Sequence, residues 1–276
     1  FNSFAQWQKF KGIALQNGVI CGLRVNPEVS LAPTDSYNPC GKFSRLGITR
    51  ANFKPELLEG ITGLHFHALC EESASSLQTV LEAFEEKFGE FIPKMKWINM
   101  GGGHHITRAD YDVELLIKII RRFHEKYGVE VYLEPGEAVG WQTGFLISSV
   151  LDIVHNEKDI AILDTSAEAH MPDTVLMPYR PAVRGESENG KFAYRFGGNT
   201  CLAGDIVGLE AGNAEYKFDS ELKIGDRVIF EDQIHYTIVK NTTFNGIKLP
   251  DLLLLKENGK IKMVRELDYE EYRRRN

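Results

Sequence analysis

The sequence predicts an α/β fold over its first half, followed by a second, mainly antiparallel β domain. Short apolar strands alternate with amphipathic helices as far as about Val139, and strand starts recur roughly every 30 to 45 residues, as in βαβ units around a parallel sheet. Beyond that point helical periodicity fades, and β-rich segments alternate with turns. We therefore predict two domains, residues 1–138 and residues 139–276.

The elements of the first half follow from apolar spacing. Strands are predicted over Val19–Val25, Gly63–Leu69, Lys96–Met100 and Val129–Leu133. Helices are predicted over Ser73–Phe88 and Val113–Tyr127, where apolar residues recur at helical spacing. This order suits either a doubly wound sheet or a (β/α)8 barrel, and spacing alone does not choose between them.

The second half carries shorter patterns. Strands are predicted over Asp159–Leu163, Lys223–Phe230 and Ile234–Val239. The segment 184–191, rich in Gly, Glu and Ser, is predicted to be an exposed hairpin or a mobile loop.

Composition excludes several classes of protein. The 276 residues are 43% hydrophobic, enough for a sizeable core, and the net charge of −7 disfavours a nucleic-acid partner. Four separated cysteines without a CxxC pair predict neither a zinc site nor a disulfide framework, so we expect reduced thiols and a cytoplasmic location. No apolar stretch approaches the ~18 residues of a membrane span, and we expect a soluble protein without a membrane partner.

Two histidines alternate along the second predicted strand. The period of two places His65 and His67 on one face and the apolar residues on the other. If the apolar face meets the helices, His67 lies nearest the C-terminal rim, where (β/α) enzymes hold their active sites. The alternative is that both are buried, hydrogen-bonded core histidines.

A triple glycine, Gly101 to Gly103, follows the third predicted strand. Without Cβ atoms the backbone N–H groups can approach an anion, so a phosphate would fit; a flexible turn is the alternative. His104 and His105 follow directly, but adjacent residues of an extended chain point apart and lack a third ligand nearby. We therefore predict no metal site.

Glu134 ends the fourth predicted strand, where a Pro135-Gly136 turn fixes its position. It shares a face with Tyr132, so we expect it to point inward at the rim. A buried carboxylate needs a partner. A protonated ring nitrogen and an arginine both qualify.

Cys201 is the notable residue of the second domain, because it lies in a polar, turn-prone segment. It is either an inert small side chain or a proton donor. Tyr236 and the Asn245-Gly246 turn follow, and taken singly they carry little information.

Together these segments resemble the fold-type III pyridoxal-phosphate decarboxylases, in this order and over essentially the whole chain. The most specific segments are residues 65–71, 101–105, 134–138, 164–173 and 200–205. The resemblance implies a (β/α)8 barrel whose N-terminal part lies outside the chain, a β-rich C-terminal domain, and a homodimer with active sites at the subunit boundary.

The resemblance also implies roles for individual residues. His67 would stack on the cofactor ring, and Glu134 would keep the pyridine nitrogen protonated. The phosphate would be held by Gly102, Gly103, Gly136 and Tyr236. Cys201 of the partner subunit would protonate the carbon that loses carbon dioxide.

The chain departs from its wider family at two positions. Ornithine and diaminopimelate decarboxylases have Arg after Glu-Pro-Gly, where this chain has Glu137, and diaminopimelate decarboxylases have Glu after the cysteine, where it has Leu202. A second carboxylate at the rim favours the ammonium groups of a polyamine-like substrate. Asp173 is a second candidate for that contact, and Asp164 is a weaker third.

The lysine that such enzymes use for a Schiff base with the cofactor has no match in this chain. Lys96 begins its predicted strand, and Lys42 lies in a turn-rich segment. The resemblance implies that this lysine, and the rest of the barrel, lie upstream of Phe1, and the sequence opens at Phe1 in mid-pattern.

The expected activity is therefore decarboxylation of a carboxylated polyamine. One alternative is a relative acting on diaminopimelate or arginine, which Glu137 and Leu202 disfavour. Another is a non-catalytic homologue that binds a partner protein, which would have no use for Cys201, His67 and Glu134 together.

Overall fold

The computed structural model describes residues 1–32 and 35–275. The chain folds into two compact units. The first runs from Phe1 to Val139, and the second begins at Gly140. Each unit has its own hydrophobic core of buried side chains.

The first unit is built on a four-stranded sheet in which all neighbouring strands are parallel. In spatial and sequence order the strands are β1 (Cys21–Arg24), β2 (Ile61–His65), β3 (Trp97–Asn99) and β4 (Glu130–Tyr132). Each overlaps its predicted segment but ends earlier, so His67, the glycine triplet and Glu134 all follow strand ends. The α/β prediction is confirmed, whereas four strands in the described residues are half of a (β/α)8 barrel, which stays a prediction.

Three long helices accompany this sheet: α1 (Phe4–Gln16), α2 (Ala74–Phe88) and α3 (Val113–Tyr127). The bounds of α3 are those predicted, because both ends are encoded locally. The Asp112 carboxylate accepts the Leu115 N–H at the start, and Gly128 adopts a left-handed φ of 67° at the end. Helix α1, which we did not predict, begins at a Ser3 cap and buries Trp7.

The second unit contains a five-stranded sheet and a separate hairpin. The strands of the sheet are β5 (Leu146–Asn156), β6 (Lys158–Leu163), β7 (Phe192–Gly197), β8 (Glu215–Phe218) and β9 (Arg227–Phe230), and the hairpin pairs β10 (Leu252–Leu255) with β11 (Ile261–Arg265). The order in the sheet is β8-β7-β6-β5-β9. All its pairs are antiparallel except β6 with β7, so a mainly antiparallel second half is confirmed.

The remaining helices are short. They are α4 (Gly136–Gly140), α5 (Ala167–His170), α6 (Asp173–Leu176), α7 (Tyr236–Val239) and α8 (Tyr269–Arg275). Within the described part of the chain, no helix is both long and apolar enough to cross a bilayer.

The prediction of a strand over Ile234–Val239 is wrong, because Tyr236–Val239 forms one helical turn. The Lys240 N–H donates to the Tyr236 carbonyl at 2.8 Å, and the Thr242 N–H donates to Ala169 at 2.9 Å. The β-branched residues of this segment favour a strand locally. The hydrogen bond to Ala169, which is distant in sequence, instead holds the chain just after this segment, and the segment forms a helical turn.

Candidate active site

The carboxyl ends of the four parallel strands lie side by side in the first unit. Arg24 pairs in register with His65, His65 with Asn99, and Asn99 with Tyr132. Residues that follow these positions therefore emerge at one edge of the sheet, which is where α/β enzymes bind ligands. His67 and Glu134, each two residues past a strand end, meet there.

Glu134 lies at the centre of this edge. Its Oε1 accepts a hydrogen bond from Asn99 Nδ2 at 2.7 Å, and its backbone N–H donates to the Gly101 carbonyl at 2.8 Å. Its Oε2 lies 3.8 Å from His65 Nε2 and 3.9 Å from His67 Nδ1. The side chain is 49% exposed. The expectation of a buried carboxylate is therefore wrong: Glu134 is held by hydrogen bonds at an accessible rim.

The two histidines beside Glu134 favour their neutral forms. Burial lowers the pKa of His65 to about 4, although the Glu134 carboxylate acts in the opposite direction. Burial, and then the charge of Arg24, lowers the pKa of His67. At neutral pH the contacts with Glu134 are therefore not ion pairs, and His67 presents an uncharged ring.

The glycine triplet passes very close to other backbone segments. A Cβ on Gly102 would lie 2.5 Å from the Glu134 carbonyl oxygen, and one on Gly103, whose φ is 80°, would collide with the Leu69 carbonyl. Glycine is thus required at both positions by packing alone. The Gly102 N–H donates to His67 Nδ1 at 3.2 Å, which places the proton of the neutral ring on Nε2.

The histidines next to the triplet do not join this cluster as ligands. His104 is buried, with Nε2 3.1 Å from the Gly101 carbonyl, so it supports the turn. Burial lowers its pKa.

A different group of side chains could also bind a metal ion. One ligand atom from each of His65, His67 and Glu134 lies within 4.8 Å of the other two.

Gly136 and Glu137 are the first two residues of helix α4, which begins two residues after Glu134. The Thr107 hydroxyl donates to Glu137 Oε1 at 2.6 Å, which fixes this second carboxylate beside the glycine turn. A Cβ on Gly136 would meet nothing within 4 Å, so the space in front of that residue is open.

Sequence reasoning missed two residues of this edge, Arg24 and Asn99. Arg24 Nη2 donates to the His67 carbonyl at 3.3 Å, and Asn99 holds Glu134 directly. A signal was present, because each is the polar last residue of an otherwise uncharged strand.

In the second unit Asp164 is engaged by its own neighbours. Its Oδ1 accepts the Ser148 hydroxyl at 2.7 Å and the Ser149 N–H at 2.8 Å. Burial acts to raise the pKa of Asp164, but these hydrogen bonds outweigh it and the pKa is lowered.

Asp173 and Tyr236 contact the same cation. Lys240 Nζ lies 2.6 Å from Asp173 Oδ1 and 4.3 Å from the centroid of the Tyr236 ring. A carboxylate and an aromatic face around one ammonium form the kind of site that binds amines, here filled by a side chain of the protein.

Cys201 is exposed, and a side-chain amide contacts its sulfur. Asn245 Nδ2 donates to Sγ at 3.1 Å. The thiol is accessible to a ligand and is held in place by a neighbouring amide.

Comparison with known proteins gives a consistent picture. The family profile described as pyridoxal-dependent decarboxylase, C-terminal sheet domain, matches residues 30–233. A carboxynorspermidine/carboxyspermidine decarboxylase of Campylobacter jejuni subsp. jejuni is 56% identical over 289 residues, covering 100% of this chain and 74% of that protein.

Two further relatives are similar over the same extent. A carboxyaminopropylagmatine decarboxylase of Synechocystis sp. is 45% identical over 279 residues, covering 100% of this chain and 70% of that protein. The crystal structure of carboxynorspermidine decarboxylase from Campylobacter jejuni, complexed with norspermidine, matches with a TM-score of 0.88 and 54% identity, covering 100% and 74% of the two chains.

Proposed function

The chain belongs to the family of pyridoxal-dependent decarboxylases, and from this premise we propose that it converts carboxynorspermidine and carboxyspermidine to norspermidine and spermidine. The observation that carries the substrate assignment is the 56% identity over the whole chain to an enzyme named for both compounds. The proposed activity belongs to polyamine biosynthesis.

The residues at the strand ends fit pyridoxal phosphate. Glu134 is a half-exposed carboxylate, suited to a protonated pyridine nitrogen, and beside it His65 Nε2 is buried without a hydrogen-bond partner among the described residues. When bound, the cofactor takes up the electron pair released as carbon dioxide leaves.

Each of the proposed site residues would contribute separately to binding and orienting the cofactor. Glu134 would keep the ring nitrogen protonated, with Asn99 fixing the orientation of its carboxylate, and His67 would lie against the ring as a neutral imidazole. Gly102, Gly103 and Gly136 would admit the phosphate close to the backbone, and the Tyr236 hydroxyl would bind it.

Carboxylates would bind the ammonium groups of the substrate. Glu137 is the first candidate, because it lies three residues after Glu134 and the Thr107 hydroxyl holds its carboxylate in place. Asp173 is the second, provided that the substrate displaces Lys240. Asp164 is the weakest, since two serines already satisfy one of its oxygens.

Cys201 would act as the proton donor. Its thiol would transfer a proton to the carbon that loses the carboxylate, and solvent would then restore the thiol. We further propose an obligate homodimer in which Cys201 completes the site of the other subunit.

The remaining parts of the proposal concern the whole protein. Residues 1–138 would form part of a (β/α)8 barrel that binds the cofactor, and residues 139–276 the β-rich domain. Four free thiols favour a cytoplasmic location, and the net charge of −7 favours cationic small molecules over nucleic acid. We propose no membrane partner.

The test is release of carbon dioxide from carboxynorspermidine and carboxyspermidine by the purified full-length protein, which includes the lysine expected upstream of Phe1, supplied with pyridoxal phosphate. We expect turnover with both, together with a visible absorption band from the bound cofactor. Absence of turnover and of that band would support the non-catalytic alternative.

A second candidate reaction, decarboxylation of carboxyaminopropylagmatine, is favoured by the 45% identity to the Synechocystis enzyme. That substrate carries a guanidinium group, which pairs with a carboxylate in a planar, two-bonded geometry. A kcat/KM higher with this compound than with the carboxylated triamines would reassign the substrate without changing the reaction class. Diaminopimelate and arginine belong in the same assay as negative controls.

A further inference from the structure

The turn that carries Cys201 is closed at its base by backbone contacts. It joins β7 to β8, and Gly197 pairs with Ile206 across its start. The Gly198 N–H donates to the Asp205 carbonyl at 2.8 Å, and the Asp205 N–H donates to the Leu202 carbonyl at 3.0 Å. Cys201 therefore sits on a constrained turn although its side chain is exposed.

The side chain of Asp205 ties this turn to the interior of the unit. Asp205 is only 3% exposed; its Oδ2 accepts the Thr200 hydroxyl at 2.6 Å and its Oδ1 accepts the Ala167 N–H at 2.7 Å. A buried carboxylate with both oxygens bonded is costly to disturb. The residue before Cys201 is thereby fastened to the first turn of α5.

Asn245 approaches the same sulfur from another segment. Its backbone has φ 57° and ψ 20°, a left-handed conformation that asparagine tolerates better than most residues. Its Nδ2 lies 3.1 Å from Cys201 Sγ, and the Thr242 N–H nearby bonds the Ala169 carbonyl of α5. Helix α5, whose Ala167 and Ala169 are fully buried, thus anchors both segments that hold the thiol.

We propose that Asn245 and Asp205 are positioning residues that fix the location of the Cys201 thiol, Asn245 by its bond to the sulfur and Asp205 through Thr200 and the turn. The inference rests on the proposed role of Cys201 as proton donor. Neither residue touches the reacting carbon, and both act through Cys201.

The chemistry of the step makes this arrangement consequential. When the bond between the reacting carbon and the carboxylate breaks, the electron pair left behind forms a C–H bond with the proton of Sγ, and the sulfur becomes a thiolate. The Asn245 amide N–H then stabilises that anion until water returns a proton. A thiol held in one place delivers its proton to one face only.

In deuterium oxide the new hydrogen is a deuteron, so the product carbon carries one H and one D and has a configuration. A wild-type enzyme with a fixed donor should give a single configuration. A loosened thiol, or direct protonation by water, should give a mixture, whereas a purely structural defect would lower activity without changing the configuration.

The experiment compares four variants of the cofactor-loaded enzyme. Asn245→Gly keeps the left-handed backbone but removes the amide, and Asn245→Asp keeps the shape but puts a carboxylate beside the sulfur. Thr200→Val removes the hydroxyl that donates a hydrogen bond to Asp205, whereas Thr200→Ser keeps a hydroxyl at this position. We expect kcat to fall about tenfold or more in Asn245→Gly and Thr200→Val, which is part of what general acid catalysis contributes, together with a mixed product configuration. Thr200→Ser should rescue both.

Alkylation of Cys201 by iodoacetamide without substrate provides a second readout. Cys201→Ser defines the background, because the other three cysteines are buried or partly buried. We expect the Cys201 rate to fall severalfold in Asn245→Asp, since a neighbouring carboxylate disfavours the reactive thiolate. The inference would be overturned if Cys201 reacted at the wild-type rate in Asn245→Asp and all four variants gave a product of a single configuration. If the wild type fails to turn over, the proposed function fails, and alkylation alone still decides whether Asn245 controls the thiol.

Discussion

Glu134 shows how one side chain can be fixed without being buried. Half of its surface is exposed, yet Asn99 holds one carboxylate oxygen and two neutral imidazoles lie near the other. A neutral His67 leaves the charge of Glu134 available for a cationic ring, whereas a protonated one would compete for it. The pKa-lowering effect of burial on these histidines therefore supports the function proposed for the carboxylate.

Replacing Glu134 by Gln tests this directly. The amide preserves the shape and the contact with Asn99 but cannot hold a ring nitrogen protonated, so we expect kcat to fall roughly a hundredfold with little loss of bound cofactor. Steady-state kinetics and the cofactor absorbance measure the two effects. Glu130→Gln, on the exposed part of β4, is the matched control and should behave as wild type; equal turnover in all three proteins would remove Glu134 from the mechanism.

Acid stability should depend on buried histidines. Burial lowers the pKa of His170, which is 1% exposed, to about 4, whereas an unfolded histidine titrates near 6.5. Between these values the unfolded chain binds a proton that the native state does not, so the free energy of unfolding decreases as the pH falls from about 6.5 towards 4.

His170→Gln should remove that part of the acid sensitivity, up to about 3 kcal/mol. Urea unfolding at pH 7 and at pH 4.5 gives the difference, which is compared between variants so that any loss of packing cancels. His155→Gln, which removes an exposed histidine instead of a buried one, is the control. An unchanged dependence in His170→Gln would show that His170 has the same pKa in the folded protein as in the unfolded chain.

At the scale of elements, the parallel strands matter because they end in register. The loops after β2, β3 and β4 then cross one another closely enough that only glycine fits at Gly102 and Gly103. Close packing alone thus explains these two glycines, and the proposed phosphate binding would be an additional use of the same backbone.

A pair of alanine substitutions separates packing from phosphate binding. Gly102→Ala places a methyl group against the Glu134 carbonyl, so we expect a destabilisation of about 1–3 kcal/mol and weaker cofactor binding together. Gly136→Ala meets open space and should leave the unfolding midpoint unchanged. Thermal unfolding and cofactor titration are the measurements; weaker cofactor binding with intact stability in Gly136→Ala would locate the phosphate there, and an unaffected Gly102→Ala would contradict the packing argument.

At the scale of the whole molecule, the candidate site residues fall in two units. His67, the glycines and Glu134 belong to the first, whereas Asp164, Asp173, Cys201 and Tyr236 belong to the second. In the proposed homodimer, residues from different subunits would complete each site.

Mixing two inactive variants tests the shared site. Glu134→Gln and Cys201→Ala disable different parts of the machinery, so a mixed dimer would have one site with both defects and one with neither. Random reassociation makes half of the dimers mixed, and we expect about a quarter of wild-type activity to return. Activity is measured after the variants are unfolded and refolded together, with each variant treated alone as the control; no recovery despite mixed dimers would place Cys201 and Glu134 of one subunit in the same site.

The sequence by itself determined the elements whose signals are local. Helix α3 has its predicted bounds because Asp112, the apolar stripe and Gly128 all lie within or beside it, and the strands follow short apolar runs. The motifs at the strand ends, together with residues 164–173 and 200–205, predicted the family, and the comparisons confirm it.

Only the tertiary structure decided which distant groups meet. The bonds of Asn99 to Glu134, Arg24 to His67, Lys240 to Asp173 and Asn245 to Cys201 all join residues far apart in the chain. The same is true of the helical turn at Tyr236, where a contact to Ala169 overrides the local preference for a strand. Local patterns reflect the period of a helix or strand, whereas long-range contacts depend on how several elements pack at once.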